Sequence, residues 1–262
     1  MNIYLHELKA NSKFVINWLI AILCVALIMI SSYIAVSKDL DSFRQVLSNY
    51  PESIKIAFGI NIDKITSILG YFSSFVLAIL CVCSAIEAMI LGISILSKEI
   101  REKTADFLYS KPVSRNKVIT SKLLASLTLL IICNIIFIIV VFIALNIVSN
   151  STFDLTTFIL IAIIPFIIQL IFFSLGMFIS SLMSKVKAVL PISMGIVFGF
   201  YILSSFADEK LRAIMPFKYF DTSYILDKSK YELNYVLITI AVIILSTFFT
   251  YIIYKKKDIE AV

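Results

Sequence analysis

Six long apolar runs dominate the pattern along this chain, at residues 14–36, 68–96, 123–148, 156–183, 188–206 and 235–254. Each reaches or exceeds the roughly 18–20 residues a helix needs to cross a hydrocarbon layer about 30 Å thick. In lipid a backbone must satisfy its own hydrogen bonds, so runs of this length are predicted as transmembrane helices. The expected fold class is an all-α polytopic membrane protein, with residues 1–262 forming a single transmembrane domain. The first run is too long for the apolar core of a cleavable signal peptide and is expected to remain as a span.

The polar stretches between the runs carry their own patterns. Residues 1–13 alternate faces, Tyr4, Leu5 and Leu8 against Glu7, Lys9 and Lys13, and suggest an interfacial helix leading into the first span. In the connector 37–67, Leu40, Phe43 and Leu47 recur at helical spacing. Leu211, Ile214 and Met215 do the same in the connector 207–234, where Pro216 would end the helix. Pro165 falls inside the fourth run and Pro191 near the start of the fifth, where they kink or begin those helices.

Charge orients the bundle. With the N-terminus inside, the inner segments hold Lys9 and Lys13; Lys98, Arg101, Lys103, Lys111, Arg115, Lys117 and Lys122; Lys185 and Lys187; and Lys255, Lys256 and Lys257. These are 14 of the 23 basic residues. The remaining basic residues, on the outer segments, are offset by acidic neighbours, so the positive-inside rule predicts cytosolic termini and outer connectors at 37–67 and 207–234. A multi-pass protein of the cell membrane, bacterial by its overall plan, is the expected setting.

Composition agrees and narrows the chemistry. Hydrophobic residues make up 60% of the chain and charged residues 15%, which excludes an ordinary soluble globular domain. The formal charge of +6 follows membrane orientation, and no nucleic-acid partner is expected. Cys24, Cys81, Cys83 and Cys133 all fall inside spans as small apolar fillers, and His6 is the sole histidine, so no metal site is expected.

The most distinctive stretch is the charged segment at residues 97–122, SKEIREKTADFLYSKPVSRNKVITSK. It is predicted to start as a short helix with Ile100, Thr104, Phe107 and Leu108 on one face. Lys98–Glu102 and Glu99–Lys103 are opposite-charge pairs one turn apart, worth about 0.2–0.5 kcal/mol each. Pro112 cannot continue that helix, and Ser114 is placed to cap a new one running through Lys117 into the third span. The product is a helix–turn–helix elbow beyond the membrane. A basic loop held by lipid headgroups is the plainer reading of the same residues.

This segment resembles the loop between the second and third spans of ABC-2 permease subunits of ABC transporters. Glu99, Arg101, Glu102, Thr104, Leu108, Pro112, Val113, Ser114, Arg115 and Lys122 carry the resemblance, while Asp106 and Phe107 depart from the usual pair at their positions. The resemblance implies an ABC-2 (type V exporter-like) bundle and a coupling elbow that docks on a separate ATPase. Glu99, Arg101, Glu102, Lys103, Thr104, Phe107, Leu108, Pro112, Val113, Ser114, Arg115 and Lys117 would then form the docking element. The chain has no G-x-x-x-x-G-K-[ST] loop, so ATP and Mg would be held by that partner. The implied assembly has two ATPase copies and a second permease, identical or similar, all within membrane lipid.

Inside the spans, Glu87 is the only acidic or basic side chain, a position that is costly in lipid and a default functional candidate. It could bind a cationic or amphipathic substrate, pair across a dimer, or be a hydrogen-bonded structural group. Asn134 and Gln169 are neutral polar groups at depth that would line a pathway or bond across helices. Ser84, Ala88 and Gly92 form a ridge of small residues, and Gly195 and Gly199 another, both suited to close helix packing. Packing within one chain is the expectation for Gly195 and Gly199.

The leading expectation is the membrane subunit of an ATP-driven exporter of hydrophobic or amphipathic substrates, such as antimicrobial or cytolytic peptides or drugs. Related expectations are a lipid or self-immunity permease, or a non-transporting receptor or scaffold whose elbow binds another protein. A secondary transporter is disfavoured because no inverted repeat is visible. An intramembrane enzyme is disfavoured because no acid–base cluster stands out.

Overall fold

The computed structural model describes residues 3–51, 64–65, 67–101, 114–149, 153–183 and 188–256. Among them, six helices are long and apolar enough to cross a membrane, and the regular structure is all-α. The spanning helices are α1 (Ile3–Lys38), α3, α4 (Arg115–Val148), α5 (Leu155–Leu182), α6 (Val189–Phe206) and α8 (Leu233–Lys256). Two short helices, α2 (Leu40–Ser48) and α7 (Thr222–Lys228), belong to the connectors. The rod α3 is built from three consecutive pieces, Ile68–Tyr71, a π-helical turn Phe72–Val76, and Leu77–Arg101.

The N-terminal segment differs from the expectation of a separate interfacial helix. Residues 3–38 form one unbroken helix, because no glycine or proline interrupts the sequence between them. At 1.5 Å per residue its 36 residues extend about 54 Å, well beyond the hydrocarbon layer. In the connector 207–234 the helical spacing of Leu211, Ile214 and Met215 resolves into 3-10 turns, Glu209–Ile214 and Pro216–Lys218. Pro216 opens the second turn, where a missing N–H costs nothing. Pro191 lies in the first turn of α6 for the same reason, whereas Pro165 sits within α5.

The six spans are unequally enclosed. The apolar window of α3 is 83% buried, whereas those of α6 and α8 are only 17% buried. The α3–α5 contact is the most extensive in the bundle, and α1–α4 is the next. Glycine explains the first. A Cβ on Gly92 would lie 2.3 Å from the Phe173 carbonyl oxygen, and one on Gly176 would lie 2.8 Å from that of Met89. The two backbones thus touch, and Ser180 Oγ adds a hydrogen bond to the Ile93 carbonyl at 2.9 Å.

The end of the bundle that holds residues 207–234 is tied together by polar contacts. Arg212 makes a two-pronged ion pair with Glu232, donates to the Lys218 carbonyl and lies 4.0 Å over the Tyr235 ring. Lys64 pairs with Asp227 and donates to the Ser223 carbonyl. Ser229 closes α7 in the left-handed region, its hydroxyl hydrogen-bonded to that of Thr157. Asp154 caps α5 through the Thr157 backbone and hydroxyl, and these bonds hold its carboxyl below the usual carboxylate range.

Candidate functional site

Two polar assemblies stand out in the apolar bundle, one where α3 and α4 border residues 102–113 and one at the centre. Ser114 caps α4, its Oγ accepting from the Lys117 N–H at 3.3 Å. Arg115 reaches across to α8 and donates to the carbonyls of Tyr254 and Lys255, the unsatisfied acceptors at that helix end. Lys117 is exposed in the first turn. Glu99 and Arg101 fall in the last turn of α3. Glu102, Lys103, Thr104, Phe107, Leu108, Pro112 and Val113 lie outside the described residues.

Lys122 behaves differently from the basic residues with which its position groups it. It is fully buried, 0% exposed, and its Nζ donates to the Ile95 carbonyl of α3 at 2.6 Å. The same Nζ lies 3.5 Å from Oε1 of Glu7, itself 5% exposed on α1. Asn11 donates to the other oxygen, Oε2, at 3.3 Å and so completes the carboxylate's surroundings. Removing one partner of such a pair strands a buried charge, at a cost of about 3–5 kcal/mol. Sequence reading placed Glu7 on the polar face of an interfacial helix and missed this pairing. The available signal was an acid and a base at matching depth on two helices that enter the membrane from the same side.

At the centre, the structure brings Glu87, Gln169 and Asn134 together from three helices. Gln169 donates Nε2–H to Glu87 Oε2 at 2.9 Å, and Asn134 donates to Gln169 Oε1 and to the Leu130 carbonyl. All three are buried, Glu87 to 2% exposure. The amides point their donors toward the carboxyl, so the chain is polarised from α4 through α5 to α3. Among the described residues no lysine or arginine pairs with Glu87. A small cleft beside the chain is lined by Leu19, Ile22, Ser84, Glu87, Cys133, Asn134, Phe137, Pro165 and Gln169. It has room for about one water molecule, so in this conformation it holds no sizeable substrate.

The two small-residue ridges part company. Ser84 lines the cleft, Ala88 is buried, and Gly92 meets α5 as its ridge suggested. At Gly195 and Gly199 the expectation of packing within one chain is corrected. A Cβ at either would meet nothing within 4 Å among the described residues. Among the described residues α6 buries Val189, Ser193, Val197 and Ser204, while Gly195 is exposed and Gly199 half-buried. Gly176 and Ser180 were not singled out beforehand, although their spacing of four is the same small-residue signal.

Six apolar spans, a charged segment between the second and third, and a buried polar centre define a multi-pass membrane protein of the permease class, in keeping with the plasma membrane. More particularly, residues 1–259 match the ABC-2 family transporter protein family, and the chain belongs to it. Permeases of this family typically lack a catalytic ATPase domain. No curated protein and no solved structure matches the chain.

Proposed function

We propose that this chain is the membrane-spanning subunit of an ATP-driven exporter, moving hydrophobic or amphipathic compounds, peptides or drugs among them, out of the cell. The observation that carries the reading is family membership over residues 1–259. The geometry supports it: α3 and α4 descend side by side into the segment that resembles a docking elbow, and Lys122 joins their stems. Two ATPase copies carrying ATP and Mg would bind the elbows of two permeases, and closure of the ATPases would rock the attached spans. The Glu87–Gln169–Asn134 chain lies in the seam those spans share and would contact the substrate.

The test is coexpression with an ATPase subunit encoded alongside, followed by purification and reconstitution in lipid. The native chain is expected to retain the ATPase and to alter its hydrolysis rate. Glu102→Lys and the double change Phe107→Ala/Leu108→Ala are expected to lose that association while the permease stays folded. An elbow whose variants keep full association would instead favour a membrane receptor or scaffold.

A further inference from the structure

The bundle divides into two bodies along a seam. The α3–α5 and α1–α4 contacts are its two most extensive, and the first is locked by touching glycines. Contacts between the pairs are sparser, the Asn134–Gln169 hydrogen bond among them, and the cleft beside Glu87 lies between the pairs. Leu19 and Ile22 of α1 and Cys133, Asn134 and Phe137 of α4 form one wall. Ser84 and Glu87 of α3, with Pro165 and Gln169 of α5, form the other. The segment at residues 102–113 connects α3 of one body to α4 of the other, so any force on it acts across the seam.

Close to that segment the seam is crossed by Lys122, which belongs to α4, donates to α3 at Ile95 and pairs with Glu7 of α1. An apolar contact here would hold the helices together equally well, because a buried ion pair is weak as a source of stability. It differs from an apolar contact in resisting displacement. Apolar side chains can repack at modest cost, whereas moving the ammonium off these acceptors strands a charge in a buried site. Higher up, α1 continues without glycine or proline to Leu19 and Ile22, about 18–23 Å along a rigid helix from Glu7.

We propose that Glu7 and Lys122 are positioning residues forming the pivot on which the α1–α4 body rocks against the α3–α5 body, and that this rocking opens the cleft beside Glu87. The inference rests on the reading of the elbow as the ATPase-docking segment. Pinned at the foot, the two bodies convert force on the elbow into separation of the seam above it. Without the pin, the same force would slide α4 along α3 and leave the cleft shut.

Cys133 lines the cleft and is 8% exposed, so it reports the opening. In a background of Cys24→Ser, Cys81→Ala and Cys83→Ser, its labelling by N-ethylmaleimide is measured on the reconstituted complex with its ATPase. The nucleotide-free state is compared with the state trapped by ATP and vanadate. With the native pair the two rates should differ about tenfold, which corresponds to a shift of about 1.4 kcal/mol in the opening equilibrium. The double variant Glu7→Gln/Lys122→Met removes both charges of the pair together; it should retain the ATPase and fold, yet label at one rate in both states. Lys122→Arg keeps the charge and donors and should keep the difference. A double variant that preserves the full difference overturns the pivot, as does a folded one that sheds the ATPase, because the pair would then serve docking. If the native chain retains no ATPase, the docking reading fails first and the pivot falls with it.

Discussion

Helices α3 and α6 carry the same small-residue signature and meet opposite fates. Gly92 of α3 sits where a methyl group would strike the Phe173 carbonyl at 2.3 Å, whereas a methyl group on Gly195 or Gly199 of α6 would meet nothing within 4 Å among the described residues. The apolar window of one helix is 83% buried and that of the other 17%. Small residues therefore state where a neighbouring backbone is able to approach, not that one does. In lipid this matters more than in water, because apolar surface gains little from being covered by protein instead of acyl chains. Close packing and hydrogen bonds must then hold the bundle, and α3–α5 has both.

The contrast can be broken most forcefully at Gly92. Gly92→Leu is expected to prevent α3 and α5 from docking, and the chain should fail to elute as a folded species in detergent. Gly92→Ala, which adds only the methyl group, should destabilise by about 1–3 kcal/mol, seen as a lower thermal midpoint. A midpoint unchanged by Gly92→Ala would mean that the close approach contributes nothing.

A second cut goes through the polar bonds of the same interface. Gln169→Leu leaves the Glu87 carboxyl and the Asn134 amide each short of a partner in a dry interior, at about 1–3 kcal/mol for a buried group left unsatisfied. Adding Glu87→Leu and Asn134→Leu removes the stranded groups together and should recover much of the loss. The comparison of single and triple variants by thermal midpoint separates polar satisfaction from shape.

On α6 the expected effect nearly vanishes. Gly195→Ala and Gly199→Ala should leave the stability of the isolated chain within about 0.5 kcal/mol of native, or raise it slightly through helix propensity. A loss matching that of Gly92→Ala would show that another surface covers this face.

The smallest effect lies at the N-terminal end of α5, far from its glycine lock. Asp154 has a folded pKa held below its unfolded value by the bonds to Thr157. Its contribution is therefore complete above about pH 3.9 and is lost as the pH falls through the lower folded value. Hydrogen-exchange protection of the first turn of α5, corrected for intrinsic rate, should weaken on acidification into that range. The turn around Gly176 should not change, and Asp154→Asn should abolish the acid dependence.

Much of this was legible beforehand for one physical reason. A span in lipid satisfies its own backbone, so its existence depends only on local hydropathy, and each of the six runs became a helix. Ser114 was legible as a cap for the same local reason. The partners of buried polar groups were less so. Glu87, Gln169 and Asn134 were each visible as costly residues, yet nothing in their spacing said that one chain of hydrogen bonds joins them. Lys122 was misleading because sequence position groups it with exposed cytosolic lysines, while its depth depends on how α1 and α4 lie together.

By itself, then, the sequence determined the number of spans, their expected orientation and the Ser114 cap, because these follow from hydropathy, charge and short-range hydrogen bonding. Only the tertiary structure decided which glycines touch another backbone, which lysine is buried, and which polar groups share the central seam. These are relations between helix faces, and in a bundle that is apolar all round the hydrophobic pattern does not say which face turns inward.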